Sequence, residues 1–302
     1  MIPDQIRLHV SPSQIFSGFG KPFGQSRFVV LGAPFDKTST YRSGSKFGPS
    51  AIRDASLNIE TYSVRSKFDV EDAQICDIGD LHVVNDVEET LRRLSAVEGG
   101  IVAASKVPVV LGGEHTISLG AVRSFPKDLG VVCLDAHADM RDEHMGQKVM
   151  HGTFLRRIIE FVGPEKVVHV GLRALCKEEL RFIKDNHVKT LSMHDLRQQS
   201  VREAARLVQG AVSDFQKLYV TIDIDVLDPA FAPGVGNPEP DGMSPDLCFN
   251  IVTRVCDERL VGLDLAEVSP LYDTGITATL GAKILFEAIC AAERARTESE
   301  VK

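Results

Sequence analysis

The stretch Val131-Val132-Cys133-Leu134-Asp135-Ala136-His137-Ala138-Asp139 constrains the fold more than any other, because an apolar run stops abruptly at three metal-ligand side chains spaced two apart. Consecutive apolar residues read as a strand buried on both faces, as in a parallel sheet flanked by helices. In an extended chain residues two apart point the same way, so Asp135, His137 and Asp139 can converge just past the strand end. Open α/β sheets place their sites there. Carboxylates packed this tightly repel one another unless a cation neutralises them. The same residues also suit an Asp-rich turn with helix-capping aspartates. A second segment, Thr221-Ile222-Asp223-Ile224-Asp225, repeats the device at the end of a strand from Leu218. Two such segments favour a site over two independent turns.

The rest of the chain alternates strand and helix. Arg27-Phe28-Val29-Val30-Leu31-Gly32 reads as the first core strand, and Pro49 or Ser50 starts the helix that carries Ile52. The Gly44 to Gly48 loop between them lacks the GxGxxG and GxxxxGK[ST] spacings, so it reads as a loop over the strand ends rather than a phosphate cradle. Residues 74–80 form a second strand, with Asp77 and Asp80 in loop or capping roles. A helix follows over 88–102, interrupted at Gly99-Gly100. Val107-Pro108-Val109-Val110-Leu111 is the third strand, and Gly112-Gly113 turns the backbone sharply toward His115 at the start of the next helix. A lone histidine there suits a capping or structural role; its place after another strand end makes it a candidate ligand.

His151 opens a helix toward Phe161, and further strands fall at 166–173 and 189–193. Helices are expected at 178–184, 201–215 and 283–294. Residues 226–242 are too rich in Pro and Gly for regular structure and form a long rigid loop, the kind that inside a compact domain is usually functional. The last core strand, 260–268, carries Glu267 at its end. This alternation is the signature of a parallel sheet covered on both faces. No linker or repeat divides it, so residues 1–302 are expected to form one domain, with residues 1–25 an extension packed on it.

Charge narrows the function. A formal net charge of −8 argues against a nucleic-acid surface and agrees with a cationic substrate. The six cysteines show no CxxC pair, so neither a zinc ribbon nor a disulfide framework is expected. No apolar run is long enough to span a bilayer or to serve as a signal peptide. The expected setting is the cytoplasm, with neither nucleic acid nor membrane as partner.

Taken together, Gly112-Gly113-Glu114-His115, Asp135-Ala136-His137-Ala138-Asp139, Asp223-Ile224-Asp225-Val226-Leu227-Asp228-Pro229 and Glu267-Val268-Ser269-Pro270 resemble the signature segments of the ureohydrolase family, which includes arginases and agmatinases. Glu114 departs from the family's usual Asp, beside the ligand rather than in its place. The resemblance implies a three-layer α/β/α sandwich with a mostly parallel sheet. It also implies two manganese ions per subunit held by His115, Asp135, His137, Asp139, Asp223 and Asp225, with Asp135 and Asp223 bridging. Hard oxygen and imidazole donors suit manganese independently of the resemblance. Two metals about 3.5–4 Å apart can share a water and supply hydroxide near neutral pH, to attack a guanidinium carbon. By resemblance His151 is the proton shuttle and also touches substrate, while Glu267 holds the guanidinium. By position alone His151 is a helix-start residue and Glu267 a surface carboxylate.

Arginases read the amino-acid end of their substrate with an Asn two residues after the last Asp of the DAHAD-type segment and with a Ser nearer the shuttle histidine. Here Arg141 takes the first position, and residues 142–149 contain no Ser. The segment is similar instead to that of agmatinases, which implies hydrolysis of agmatine to putrescine and urea, a polyamine-forming step. Asp142 and Glu143 would favour the distal ammonium, and Arg141 and Lys148 oppose it. Guanidinobutyrase, arginase and formiminoglutamase share the ligand set and stay open as alternatives. A catalytically silent relative would have lost ligands that this chain retains. By resemblance a trimer or hexamer is expected.

Overall fold

A computed structural model describes residues 2–300. The apolar runs become strands: β1 (Val10–Ser11), β2 (Phe28–Ala33), β3 (Tyr62–Ser63), β4 (Phe68–Asp69), β5 (Ile75–Leu81), β6 (Val107–Gly112), β7 (Gly130–Leu134), β8 (Val167–Leu172), β9 (Lys189–Ser192), β10 (Leu218–Asp223) and β11 (Leu260–Ala266). Among the described residues nine of them form one sheet in the order β1-β5-β2-β6-β11-β10-β7-β8-β9. Only the edge strand β1 runs antiparallel to its neighbour; β3 and β4 make a separate hairpin. Every residue of β2, β6, β7, β8 and β10 is buried, as expected of strands covered on both faces.

The helices are α1 (Asp4–Arg7), α2 (Gly48–Ser56), α3 (Val87–Ala103), α4 (Ile117–Val122), α5 (Phe154–Val162), α6 (Lys177–Asp185), α7 (Met193–Arg197), α8 (Val201–Ala211), α9 (Pro245–Val255) and α10 (Ile276–Glu300). Side-chain alternation along the strands divides the interior into two cores. Val30, Val109, Val132 and Val220 pack with α2, α8, α9 and α10, whereas Val29, Val110, Val131 and Tyr219 pack with α3, α4 and α5. This is the three-layer sandwich, with helices on both faces of the sheet. Among the described residues no helix is long and apolar enough to cross a membrane, and all six cysteines are free thiols.

Several boundaries differ from the sequence expectation. Helix α3 runs unbroken through Gly99-Gly100, because Gly100 lets α1 approach: a Cβ there would lie 2.9 Å from Gln5 Nε2 and 3.0 Å from Ile6 Cγ1. Helix α9 was not anticipated, although its start is written in the sequence. Ser244 accepts a hydrogen bond from Leu247 N as N-cap, Pro245 occupies the first turn and Asp246 adds an acidic residue. Asp77 and Asp80 serve neither a cap nor the site. Both pair with the fully buried Arg53, at 2.8 and 2.6 Å, and Asp77 also accepts from Phe16 N, tying residues 13–20 to the sheet.

Parallel register aligns the functional ends. Ile222 pairs with Leu134 and Asp223 with Ala266, so Asp223 stands beside Asp135 and next to the residue that precedes Glu267. Leu265 pairs with Leu111, which brings Glu267 alongside Gly113, whose carbonyl accepts from Glu267 N at 2.8 Å. Four strand tips therefore end in one row.

Candidate metal centre at the strand ends

Beyond β6 the chain turns at Gly113, where a Cβ would meet Phe35 O at 2.0 Å, so only glycine lets the two loops cross here. The turn carries His115 into the interior, two residues before α4 rather than within it. His115 Nδ1 lies 3.0 Å from Asp135 Oδ2 and 3.2 Å from Asp223 Oδ2. On the other side, His137 Nδ1 lies 2.9 Å from Asp225 Oδ2 and 3.7 Å from Asp135 Oδ1. Two histidine–carboxylate clusters thus meet at Asp135, whose two oxygens face one histidine each. Asp225 N donates to Asp223 Oδ1 at 2.8 Å and Ala136 N donates to Asp225 Oδ1 at 3.2 Å, which fixes the carboxylates locally.

Asp139 follows in a left-handed conformation, φ 50°, that turns it out of the strand direction and into the wall of a cavity. That cavity, of about 300 Å³, is also lined by Thr40, Tyr41, His137, Arg141, His144, His151, Asn237 and Glu239. Of the residues expected to act, His137, Asp139 and His151 therefore line the opening, and His115, Asp135, Asp223 and Asp225 lie buried around His137 and beneath it. Glu267 is one residue beyond β11 with φ 65°, and its Oε1 accepts from His115 N at 2.8 Å. It joins the centre through the backbone of the first histidine rather than through the cavity wall.

The shuttle candidate is also held from below. His151 N donates to Thr38 Oγ1 at 3.1 Å, and His151 Nε2 lies 3.2 Å from Thr40 Oγ1. Thr38 in turn is tied to the buried Glu114, through its backbone N–H at 2.6 Å and through a short hydroxyl contact. Sequence reasoning placed Asn237 and Glu239 in a loop expected to be functional without singling them out, and passed over Thr38, Thr40 and Tyr41, because nothing local in their composition marks them. Asp142, expected near the distal end of a substrate, pairs instead with Arg157 at 2.8 Å and is absent from the cavity lining, leaving Arg141 and His144 there.

The electrostatics are those of a centre built around a cation. His115 Nδ1 and Asp135 Oδ2 are buried and make no hydrogen bond; orphaned donor atoms of this kind are costly without a partner. Without a cation, burial pushes the Asp139 and Asp223 carboxyls far above their ordinary range, and the neighbouring carboxylates reinforce the shift. Burial opposes the charged form of His137, yet Asp225 and its neighbours drive its pKa up to about 11. Burial, helped by His137 and His144, drives His151 the other way, down to about 4. A metal ion would satisfy the free lone pairs and relieve the carboxylates together. Cys133, left out of the expected donor set, also lies within 4.8 Å of the His115 and Asp135 donors. Burial and those carboxylates push its thiol far up, so it offers no thiolate.

A mostly parallel sheet with carboxylate and imidazole donors gathered at its strand tips defines a metal-dependent hydrolase of the arginase type. The arginase family model matches residues 26–291, and the chain belongs to that family. It is 34% identical to an agmatinase of Halalkalibacterium halodurans over 83% of this chain and 86% of that one. It is also 34% identical to a guanidinobutyrase of Pseudomonas aeruginosa, over 87% and 85% of the two chains. The solved agmatine ureohydrolase of Thermoplasma volcanium superposes with a TM-score of 0.89 at 33% identity, covering 98% of this chain and 99% of that one. The chain is a hydrolase acting on guanidino C–N bonds, most like the agmatinases.

Proposed function

We propose that the chain hydrolyses agmatine to putrescine and urea with two manganese ions held by His115, Asp135, His137, Asp139, Asp223 and Asp225. The observation that carries this reading is the pair of histidine–carboxylate clusters joined at Asp135 beneath a cavity. When bound, two divalent cations lower the pKa of a shared water and make hydroxide available at neutral pH. The hard donor set supports manganese. Agmatine as substrate is supported by the agmatinase and agmatine ureohydrolase likenesses.

The residues of the chain supply the rest. Glu267 keeps Oε2 free of the His115 N–H and accepts guanidinium N–H donors there. His151, neutral at pH 7 because burial holds its pKa near about 4, accepts a proton at Nε2 and delivers it to the leaving amine. Tyr41 and the 237–239 segment narrow the opening and limit water at the reacting centre. The chain is proposed to act as one domain in the cytoplasm, as a homo-oligomer.

A second reading, hydrolysis of a guanidino acid such as 4-guanidinobutyrate, is favoured by one observation. Arg141 and His144 line the cavity, where a distal carboxylate would meet them, and Asp142 does not. Urea release from agmatine, 4-guanidinobutyrate and arginine with added manganese separates the readings. The highest kcat/KM is expected on agmatine; preference for 4-guanidinobutyrate would install the second reading, and preference for arginine would remove both.

A further inference from the structure

Behind His115 lies a buried polar chain that the proposed reaction does not use. His115 Nε2 is 2.7 Å from Thr221 Oγ1, and Thr221 donates its hydroxyl hydrogen to Asp264 Oδ1 at 2.6 Å. Asp264 Oδ2 accepts from Tyr219 OH at 2.7 Å, and Ser118 Oγ stands 3.0 Å from Thr221 Oγ1. His115, Ser118, Tyr219, Thr221 and Asp264 are all fully buried, so no water can substitute for a missing partner. Thr221 and Asp264 lie side by side on β10 and β11, in register with each other.

A threonine hydroxyl carries a single hydrogen. Once that hydrogen points at the Asp264 carboxylate, Oγ1 can meet His115 only as an acceptor, so His115 Nε2 must carry its proton. The lone pair then falls on Nδ1, the atom that faces Asp135 and Asp223 and makes no hydrogen bond. We propose that Asp264, acting through Thr221, is a positioning residue that fixes the metal-accepting tautomer and ring orientation of His115. An aspartate is required at this position because a carboxylate only accepts. An amide could turn its NH₂ toward Thr221, free the hydroxyl hydrogen for His115 Nε2 and move the imidazole proton to Nδ1, where it blocks a cation. This inference rests on the reading of His115 as a ligand through Nδ1.

The test is manganese affinity of the full chain, measured by calorimetric titration after chelator treatment, alongside thermal melting. Thr221→Val, close in shape and lacking the hydroxyl, and Asp264→Asn are each expected to weaken binding of one of the two ions on the order of 10–100-fold, a typical effect of losing an outer-shell partner. Thr221→Ser restores the hydroxyl and is expected to restore affinity. Tyr219→Phe removes the other donor to Asp264 but leaves the Thr221 link, so it should lower the melting temperature without changing metal affinity. Wild-type affinity in folded Thr221→Val overturns the inference, whether or not Asp264→Asn folds; so does a loss in Tyr219→Phe equal to that in Asp264→Asn. His115→Ala is the reference. If it too binds manganese like the wild type, the ligand reading itself is wrong; if it alone loses affinity, only the relay is wrong.

Discussion

Asp135 Oδ2 stands 3.0 Å from His115 Nδ1, and neither atom has a hydrogen-bond partner. Two buried polar atoms facing each other in this way are stable only when a proton or a cation lies between them, and the two compete.

That competition has a sign. In the chelated protein burial raises the Glu114 carboxyl to about 7, and burial together with Glu114 raises Glu267 to about 8. His137 is raised to about 11, its carboxylate neighbours outweighing burial. Each of these groups holds its proton in the folded state at a pH where the unfolded chain has released it. Stability of the chelated protein therefore falls as pH rises from 6.5 to about 8. His151, lowered to about 4, works the other way: the unfolded histidine is half protonated at pH 6.5, so it offsets part of the fall at the lower edge of the window and adds nothing by about pH 8. Metal binding displaces the proton on His137 and those on the raised Asp139 and Asp223 carboxyls, and so strengthens with pH. Melting curves with manganese and with chelator should show a gap in Tm that widens over this range; a gap that narrows contradicts the assignment.

Asp135 faces both histidines, whereas Asp225 faces only His137. Asp135→Asn should therefore disturb both clusters and Asp225→Asn one. Metal analysis after gel filtration is expected to find well under one manganese per chain in the first and about one in the second, given how strongly a metal site depends on each ligand. Equal losses would mean that Asp135 does not join the two halves.

Among the described residues Arg173 has no carboxylate within ion-pair distance; its guanidinium donates instead to the carbonyls of Asp225, Val226, Leu227, Glu239 and Pro240, at 2.7 to 3.3 Å. It clips both ends of the 226–242 loop to the end of β8. Arg173→Met should cost about 2–4 kcal/mol of stability, since several charge-assisted hydrogen bonds and their buried acceptors are lost together. KM should rise as the 237–239 wall loosens. Thermal melting and steady-state kinetics check both, and an unchanged KM would detach the clip from the cavity.

Arg141 lines the cavity with its nearest carboxylate, Glu179, 3.9 Å away. Removing its charge in Arg141→Ala should raise the KM for 4-guanidinobutyrate on the order of 5–30-fold, the worth of about 1–2 kcal/mol of ion pairing. The KM for agmatine should hold or fall. A parallel rise for both substrates would place Arg141 in the scaffold rather than at the distal end.

The abrupt end of the Val131 to Leu134 run and the paired aspartates after β10 were legible because strand burial and ligand spacing are both local properties. The parallel sheet followed from the same alternation. Of the cavity walls, the 226–242 loop was legible as functional from its Pro and Gly content and its length, but which of its residues line the cavity was not. Thr40 reaches His151 across more than a hundred residues, Tyr41 lines the same cavity, and Glu239 is placed by Arg173 just past the end of β8. Asp142 was linked to the distal end by its negative charge alone, and the ion pair with Arg157, fifteen residues away, decides its direction instead. Asp264 read as one more residue of a buried strand; only the register of β10 against β11 sets it beside Thr221.

The most direct test measures manganese content and urea release on one preparation of the wild-type chain supplied with agmatine. The account predicts about two manganese ions per chain and urea formed in step with putrescine, both abolished by chelation and restored by added manganese. A folded chain that binds no manganese, or one that binds it and releases no urea from any guanidino compound, contradicts it.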